Sequence, residues 1–192
     1  MEPFCTLHNR RFELYIPAET IHRAITRVAE QINQDYTNIV RPLLLVTLSG
    51  AVVFGGELFR QLRGPFEIAF VKLASYGAGT TSSGVVSVDV PLTADVRGRD
   101  VLIAEDVVDT GTTIHRLRDM LNECGARSIR VATLLLKPDI YYHRPERPNP
   151  MPIDYVALES EPKFIVGYGM DYDEQGRNLG ALYTLCEEKT HE

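Results

Sequence analysis

Apolar positions recur along this chain with two different spacings, and the alternation between them predicts the architecture. From Pro17 to Tyr36 the residues Ile21, Ile25, Val28, Ala29 and Ile32 fall three and four apart, so they share one face of an amphipathic helix. Pro17 suits the start of that helix because its fixed φ is already helical and its missing donor is not needed there. Pro42 to Thr47 is a nearly unbroken apolar run and reads as a strand buried on both faces. After the turn Leu48-Ser49-Gly50, helical spacing returns from Ala51 to Leu62. Phe66 to Leu73, Val101 to Ala104 and Ile129 to Leu136 read as the second, third and fourth strands, and Ile114, Leu117, Leu121 and Cys124 mark one face of a helix after the third. Strands that alternate with helices predict a Rossmann-like α/β fold, a parallel sheet with right-handed crossovers and helices on its faces.

Two segments stand outside this alternation. Ser75 to Gly84 is polar and glycine-rich, followed by Val86, Val88 and Val90 alternating as in an exposed ribbon. With little to bury, it suits a mobile lid, and an ordinary hairpin fits the residues equally well. Pro138 to Pro152 holds five prolines among Tyr141, Tyr142, His143 and Arg144. Proline fixes φ and removes donors, so an irregular excursion is expected there.

A chain of 192 residues with 44% hydrophobic and 24% charged content can build one substantial core and is short for two. A formal charge of −6 gives no electrostatic reason to expect a nucleic-acid partner. No apolar run is long enough to span a membrane, and Met1-Glu-Pro-Phe-Cys5 lacks the features of a signal peptide, so a cytoplasmic location and no membrane partner are expected. Cys5, Cys124 and Cys186 are widely separated and in no metal-ligand or paired pattern, so they read as reduced thiols.

The chemistry is concentrated in Val101-Leu-Ile-Ala-Glu-Asp-Val-Val-Asp-Thr-Gly-Thr-Thr-Ile114. If the strand ends at Ala104, Glu105 and Asp106 emerge at its carboxyl end, where open α/β sheets place their ligands. Adjacent carboxylates there can accept hydrogen bonds from vicinal sugar hydroxyls or face a cation. Asp109-Thr110-Gly111-Thr112-Thr113 then opens a helix, and backbone N–H groups with threonine hydroxyls beside an unobstructed glycine make a phosphate cradle. A strand, an acidic turn and a capping threonine is the plain alternative for any one part of this run.

The whole fourteen-residue segment resembles the phosphoribosyl pyrophosphate signature of the type I phosphoribosyltransferases: two acidic residues, two apolar ones, then Asp-Thr-Gly-x-Thr after a hydrophobic strand. Further places resemble the hypoxanthine phosphoribosyltransferase family within that group. Ala74-Ser75-Tyr76 sits where the family has its mobile loop, Leu134-Leu-Leu-Lys137 ends a strand on the family's purine-contacting lysine, and Lys163 to Arg177 matches its hood. The resemblance implies a single domain over residues 1–192: a core of about 17–137, a small hood from about 1–16 and 153–192, and a flexible lid at about 74–90. It implies Mg2+ as cofactor, phosphoribosyl pyrophosphate and a 6-oxopurine as substrates, and a homodimer or homotetramer.

Carried residue by residue, the resemblance makes Asp109 the proton acceptor for the purine ring. Glu105 and Asp106 hold the ribose hydroxyls and, with Asp171, the metal. Thr110, Gly111, Thr112 and Thr113 hold the 5-phosphate. Lys137 contacts the 6-oxo group, Phe164 stacks on the base and Ile165 contributes backbone. Arg177 binds diphosphate, as do the backbones of Ser49 and Gly50, and Ser75 and Tyr76 close over the reacting centre. Without the resemblance, Lys137 is as well a solvated strand-end lysine, Phe164 a core residue, and Asp171 with Arg177 a surface ion pair. One departure is that Ser49 stands where the family usually has lysine, so a positive charge is missing. The same fold and signature also serve an RNA-binding regulator of a pyrimidine operon; Lys137, the Phe164-to-Arg177 block and the acidic total weigh against it. A nicotinamide-dependent oxidoreductase would need a Gly-x-Gly-x-x-Gly turn after the first sheet strand, and none is there.

Overall fold

The computed structural model describes residues 2–73, 88–90, 92–143, 145 and 150–186. In chain order the elements are β1 (Phe4–Leu7), β2 (Arg10–Ile16), α1 (Ala18–Asp35), β3 (Leu43–Thr47), α2 (Val52–Gln61), β4 (Glu67–Leu73) and β5 (Val88–Val90). They continue with β6 (Asp100–Val108), α3 (Thr112–Glu123), β7 (Ser128–Leu136), the one-turn α4 (Pro138–Tyr141), β8 (Tyr155–Glu159), β9 (Ile165–Val166) and β10 (Leu182–Leu185). Six strands form the main sheet in the order β5-β4-β3-β6-β7-β8. Its five inner and far strands pair in parallel, and β5 lies antiparallel on the β4 edge.

The period of two in the strands decides which helix covers which face. Leu44, Val46, Leu102 and Ala104 point toward Ile21, Ile25, Val28 and Ile32 of α1 and Phe54 and Leu58 of α2. Leu43, Leu45, Val101 and Ile103 point the other way, onto Ile114, Leu117 and Leu121 of α3. Most of these side chains are completely buried, and each fully buried Leu, Ile or Val stabilises the fold by about 1.5–3 kcal/mol. A second, antiparallel sheet of order β1-β2-β10-β9 joins the two ends of the chain around Phe12, Val166, Ala181 and Tyr183.

Four expectations change. The third strand does not stop at Ala104 but runs to Val108, because β7 pairs with it as far as Val108↔Leu136. Cys124 is exposed: α3 ends at Glu123, and beyond the last turn the helical period no longer applies. The segment expected to be irregular from Pro138 begins with a helical turn, for which Pro138 at the first position is well suited. The hood was expected from about 153, whereas β8 belongs to the main sheet. Tyr155 and Ala157 pack under α1, and the Tyr155 hydroxyl donates to Asp35 Oδ2 at 2.6 Å. The small antiparallel sheet takes up the chain only at Ile165. Ser75 and Tyr76, and most of the expected lid, lie outside the described residues.

Candidate active site

The sheet opens at its carboxyl end because its strands stop at different heights. The β3–β6 ladder ends at Val46↔Ala104, while β6 continues beside β7 to Val108. From Glu105 onward β6 therefore has a neighbour on one side only, and its carboxylates border the crevice where ligands bind in open α/β sheets. Glu105 is buried and its Oε2 has no hydrogen-bond partner. Burial, and then the charge of Asp106, push its pKa up to about 8. Asp106 is raised too, chiefly by burial and further by Asp171, against the lowering pull of the Val107 N–H and Arg177.

Burial beside Asp106 lets Glu105 keep its proton at neutral pH until a cation or hydroxyl donors arrive. For the free protein the linkage has a definite sign. Glu105 binds its proton more tightly folded than unfolded, so its contribution to stability is complete below about pH 4.5 and is lost as pH rises to about 8. Urea unfolding across that window should show this decline, and Glu105→Gln should flatten it. A decline of equal slope in the Gln variant would assign it to other groups.

Beyond Val108 the chain turns through Asp109 to Thr113 into α3. Gly111, the residue before the helix, sits at φ +70°, in the left-handed region that glycine enters without cost. It has no side chain to cap the helix; the Thr112 N–H reaches only the Thr110 hydroxyl at 3.4 Å, so the start of α3 suits an external acceptor. The Thr110 and Thr112 hydroxyls stand 3.0 Å apart at the rim. The turn encloses a cavity of about 100 Å³ lined by Glu105 and the residues from Val107 to Ile114. Lys137, at the end of β7, places its Nζ 3.1 Å from Asp109 Oδ2. Asp109 and Lys137 thus meet across neighbouring strands.

The opposite wall comes from the turn after β3 and from the hood. The Leu48–Ser49 peptide is cis, Ser49 is exposed, and a Cβ on Gly50 would stand 1.7 Å from Asp106 Oδ2. Gly169 packs against the same turn, its would-be Cβ 1.9 Å from the Gly50 carbonyl. Arg177 Nη2 pairs with Asp171 Oδ1 at 2.8 Å, and Arg177 Nη1 donates to the Gly169 carbonyl at 2.9 Å. Asp171 Oδ2 accepts from the Glu174 N–H at 2.8 Å. Asp171 and Arg177 are therefore an ion pair in this state, and both act electrostatically on Asp106.

Phe164 is 50% exposed, an unusual position for a phenylalanine and not one of core packing. Its ring is held by Tyr172, edge-on at 6.0 Å, and by the buried Phe12 at 6.4 Å. Ile165 beside it is buried in β9. Tyr172 and Phe12 escaped the sequence reading: Phe12 lies 152 positions from Phe164, and no local spacing signals a contact made through a second sheet. Among the described residues no three acidic, histidine or cysteine side chains converge as a ready metal cage. Glu105, Asp106 and Asp171 would have to share a cation with ligand oxygens.

Comparison with known proteins agrees with this geometry. Residues 17–173 match the family model described as phosphoribosyl transferase domain. A hypoxanthine-guanine phosphoribosyltransferase from Mycobacterium tuberculosis is 43% identical over 175 residues, covering 88% of this chain and 84% of the relative. One from Streptococcus pneumoniae is 36% identical over 182 residues, covering 95% and 97%. Among solved structures, a hypoxanthine-guanine phosphoribosyltransferase from Bacillus anthracis superposes with a TM-score of 0.80 at 28% identity, over 91% of this chain and 98% of the other. A hypoxanthine phosphoribosyl transferase from Trypanosoma cruzi gives 0.81 at 30% identity, over 95% of both chains. A family match over 157 residues, made on the strands, turn and helix that build the crevice, places this chain in the phosphoribosyl transferase domain family.

Proposed function

We propose that the protein serves purine salvage, transferring the 5-phosphoribosyl group of phosphoribosyl pyrophosphate to a ring nitrogen of a 6-oxopurine and releasing pyrophosphate. Hypoxanthine is the expected acceptor and guanine the next. The observation that carries this reading is the open turn Asp109 to Thr113 at the start of α3, set between the Glu105–Asp106 pair and the Lys137–Asp109 contact. A phosphate, a ribose and a keto base would each find complementary groups around that crevice.

In this reading the Thr110-to-Thr113 turn holds the 5-phosphate, and binding energy spent there is available to the reacting centre. Glu105 and Asp106 accept from the ribose hydroxyls. The exposed Phe164 ring offers a face to the base, beside the Ile165 backbone, and Lys137 donates to the 6-oxo group. As the anomeric carbon–oxygen bond breaks, the sugar becomes oxocarbenium-like and the diphosphate gathers negative charge. In this reading Arg177 exchanges Asp171 for that diphosphate, which the Ser49 and Gly50 backbone would also contact. Asp109 takes the proton that the base must lose. Ser75 and Tyr76 are assigned to excluding water.

The donor set suits magnesium: hard carboxylate oxygens, few in number, with the unpartnered Glu105 Oε2 among them. Magnesium keeps water and phosphate ligands and needs only one or two carboxylates from a protein. When bound it would neutralise the leaving diphosphate; Glu105, Asp106 and Asp171 are the residues that would hold it. Cytoplasmic location and a homodimer or homotetramer complete the reading. No helix among the described residues is long and apolar enough to cross a membrane, and the exposed Val52 and Phe70 leave apolar surface for a second copy.

The deciding assay is pyrophosphate release with hypoxanthine, guanine and xanthine, each with and without magnesium. Release should require both a 6-oxopurine and the cation. No release with any base, together with tight and salt-sensitive retention of RNA on a filter, would replace the enzyme by a regulator.

A further inference from the structure

The segment from Pro138 to Pro152 takes no part in the proposed chemistry, yet its first turn touches the phosphate loop. Tyr141 is 1% exposed. Its ring lies so close to Gly111 that a Cβ there would stand 2.3 Å from Cε2 and 3.0 Å from Cδ2. The ring also faces His115 of α3 at 6.4 Å and packs edge-on to Tyr142 at 5.0 Å. Its hydroxyl donates to the Met151 carbonyl at 2.6 Å, closing the ends of the excursion onto each other. The Tyr141 and Ile140 N–H groups donate to the Lys137 carbonyl at 2.9 and 3.2 Å, and the Lys137 N–H donates to Val108 at 3.0 Å.

We infer that the turn Pro138–Tyr141, tethered to Met151, is a brace for the phosphate loop, with Tyr141 as its positioning residue. The inference rests on the reading of Asp109 to Thr113 as the 5-phosphate site. A glycine between hydroxylated residues is free to sample both signs of φ, and a cradle made of N–H groups binds an anion well only when those groups already point at it. The Tyr141 ring closes off one side of Gly111, while the Met151 carbonyl fixes the ring. The same helical turn carries Lys137, so one short element sets the spacing between the phosphate and purine ends of the site.

A residue that only filled the core would lower stability without changing how much a phosphate adds to affinity. The experiment therefore compares Kd for inosine 5′-monophosphate and for inosine, by calorimetry, in the wild type, Tyr141→Phe and Tyr141→Leu. The ratio of the two constants reads the loop alone. Losing one hydrogen-bond anchor, Tyr141→Phe should reduce the ratio by about threefold. With the ring wall gone, Tyr141→Leu should reduce it by at least about tenfold, with inosine affinity held within about twofold. A ratio unchanged in Tyr141→Phe and in Tyr141→Leu overturns the brace; if the Leu variant does not fold, the Phe variant decides. A wild type that binds the nucleotide no better than the nucleoside overturns the phosphate site itself, whatever the variants do.

Discussion

Asp109→Asn is expected to slow turnover by at least about a hundredfold while leaving the affinity for phosphoribosyl pyrophosphate within about twofold. The substitution keeps the size of the side chain and an oxygen that can still accept from Lys137 Nζ, now 3.1 Å away. What it removes is the ability to take a proton. General-base catalysis contributes about 10²–10⁴-fold, and the low end of that range applies if water or a phosphate oxygen can substitute. Asp109 precedes the residues proposed to hold the phosphate, so the loop Thr110 to Thr113 should keep its conformation. Steady-state kcat and KM, with single-turnover rates to separate chemistry from product release, give the answer. An unchanged single-turnover rate takes Asp109 out of the role, and an equal loss in pyrophosphate-donor affinity makes it part of the loop instead.

The second large effect is expected at the junction between hood and core. Gly169 has φ +103°, and a Cβ there would stand 1.9 Å from the Gly50 carbonyl oxygen. Alanine thus meets two penalties at once, the left-handed backbone and a collision with main chain that no side-chain rotation relieves. Backbone strain of this kind costs about 1–3 kcal/mol and forced overpacking about the same. A total of about 3 kcal/mol lowers Tm by roughly 10 °C in a chain of this size. Activity should fall further than stability explains. The Gly169 carbonyl accepts from Arg177, the Gly169 N–H donates to the Arg177 carbonyl, and Gly50 lies against Asp106. Pushing the two turns apart would move both Arg177 and Asp106, the proposed diphosphate and ribose contacts. Differential scanning calorimetry with steady-state kinetics tests this, and a Tm within 2 °C of wild type, well short of the roughly 10 °C expected, would mean that the loop shifts without cost.

Much of the main sheet was legible because its signals are local. α1, α2, β3, β4 and β7 fall within one or two residues of their expected bounds, as buried faces demand one period throughout an element. The third strand was cut short because Glu105 and Asp106 look like the end of a strand. In fact β7 continues the ladder beside them, and burial of a carboxylate is a property of its neighbours. In the first sixteen residues only Phe12, Leu14 and Ile16 alternate, too short a run to place a strand, and pairing of β2 with both β1 and β10 is what buries Phe12 fully.

The candidate residues divide in the same way. Glu105, Asp106 and Asp109 to Thr113 are contiguous, so their chemistry could be read from order alone. Tyr141 and Tyr172 could not, since a tyrosine gains a role only from what it touches. Lys137 and Asp109 are 28 positions apart, and only adjacent parallel strands of matched height bring their charged ends together.

By itself the sequence determined the alternation of elements, the signature turn and the set of charged and hydroxylated groups, since each depends on near neighbours and on backbone periodicity. The tertiary structure alone decided that Glu105 is buried with its Oε2 unpartnered, that Asp171 and Arg177 pair beside Asp106, and that Tyr141 backs Gly111. Solvation and contact are set by whichever segments arrive from far along the chain, and no local pattern encodes that arrival.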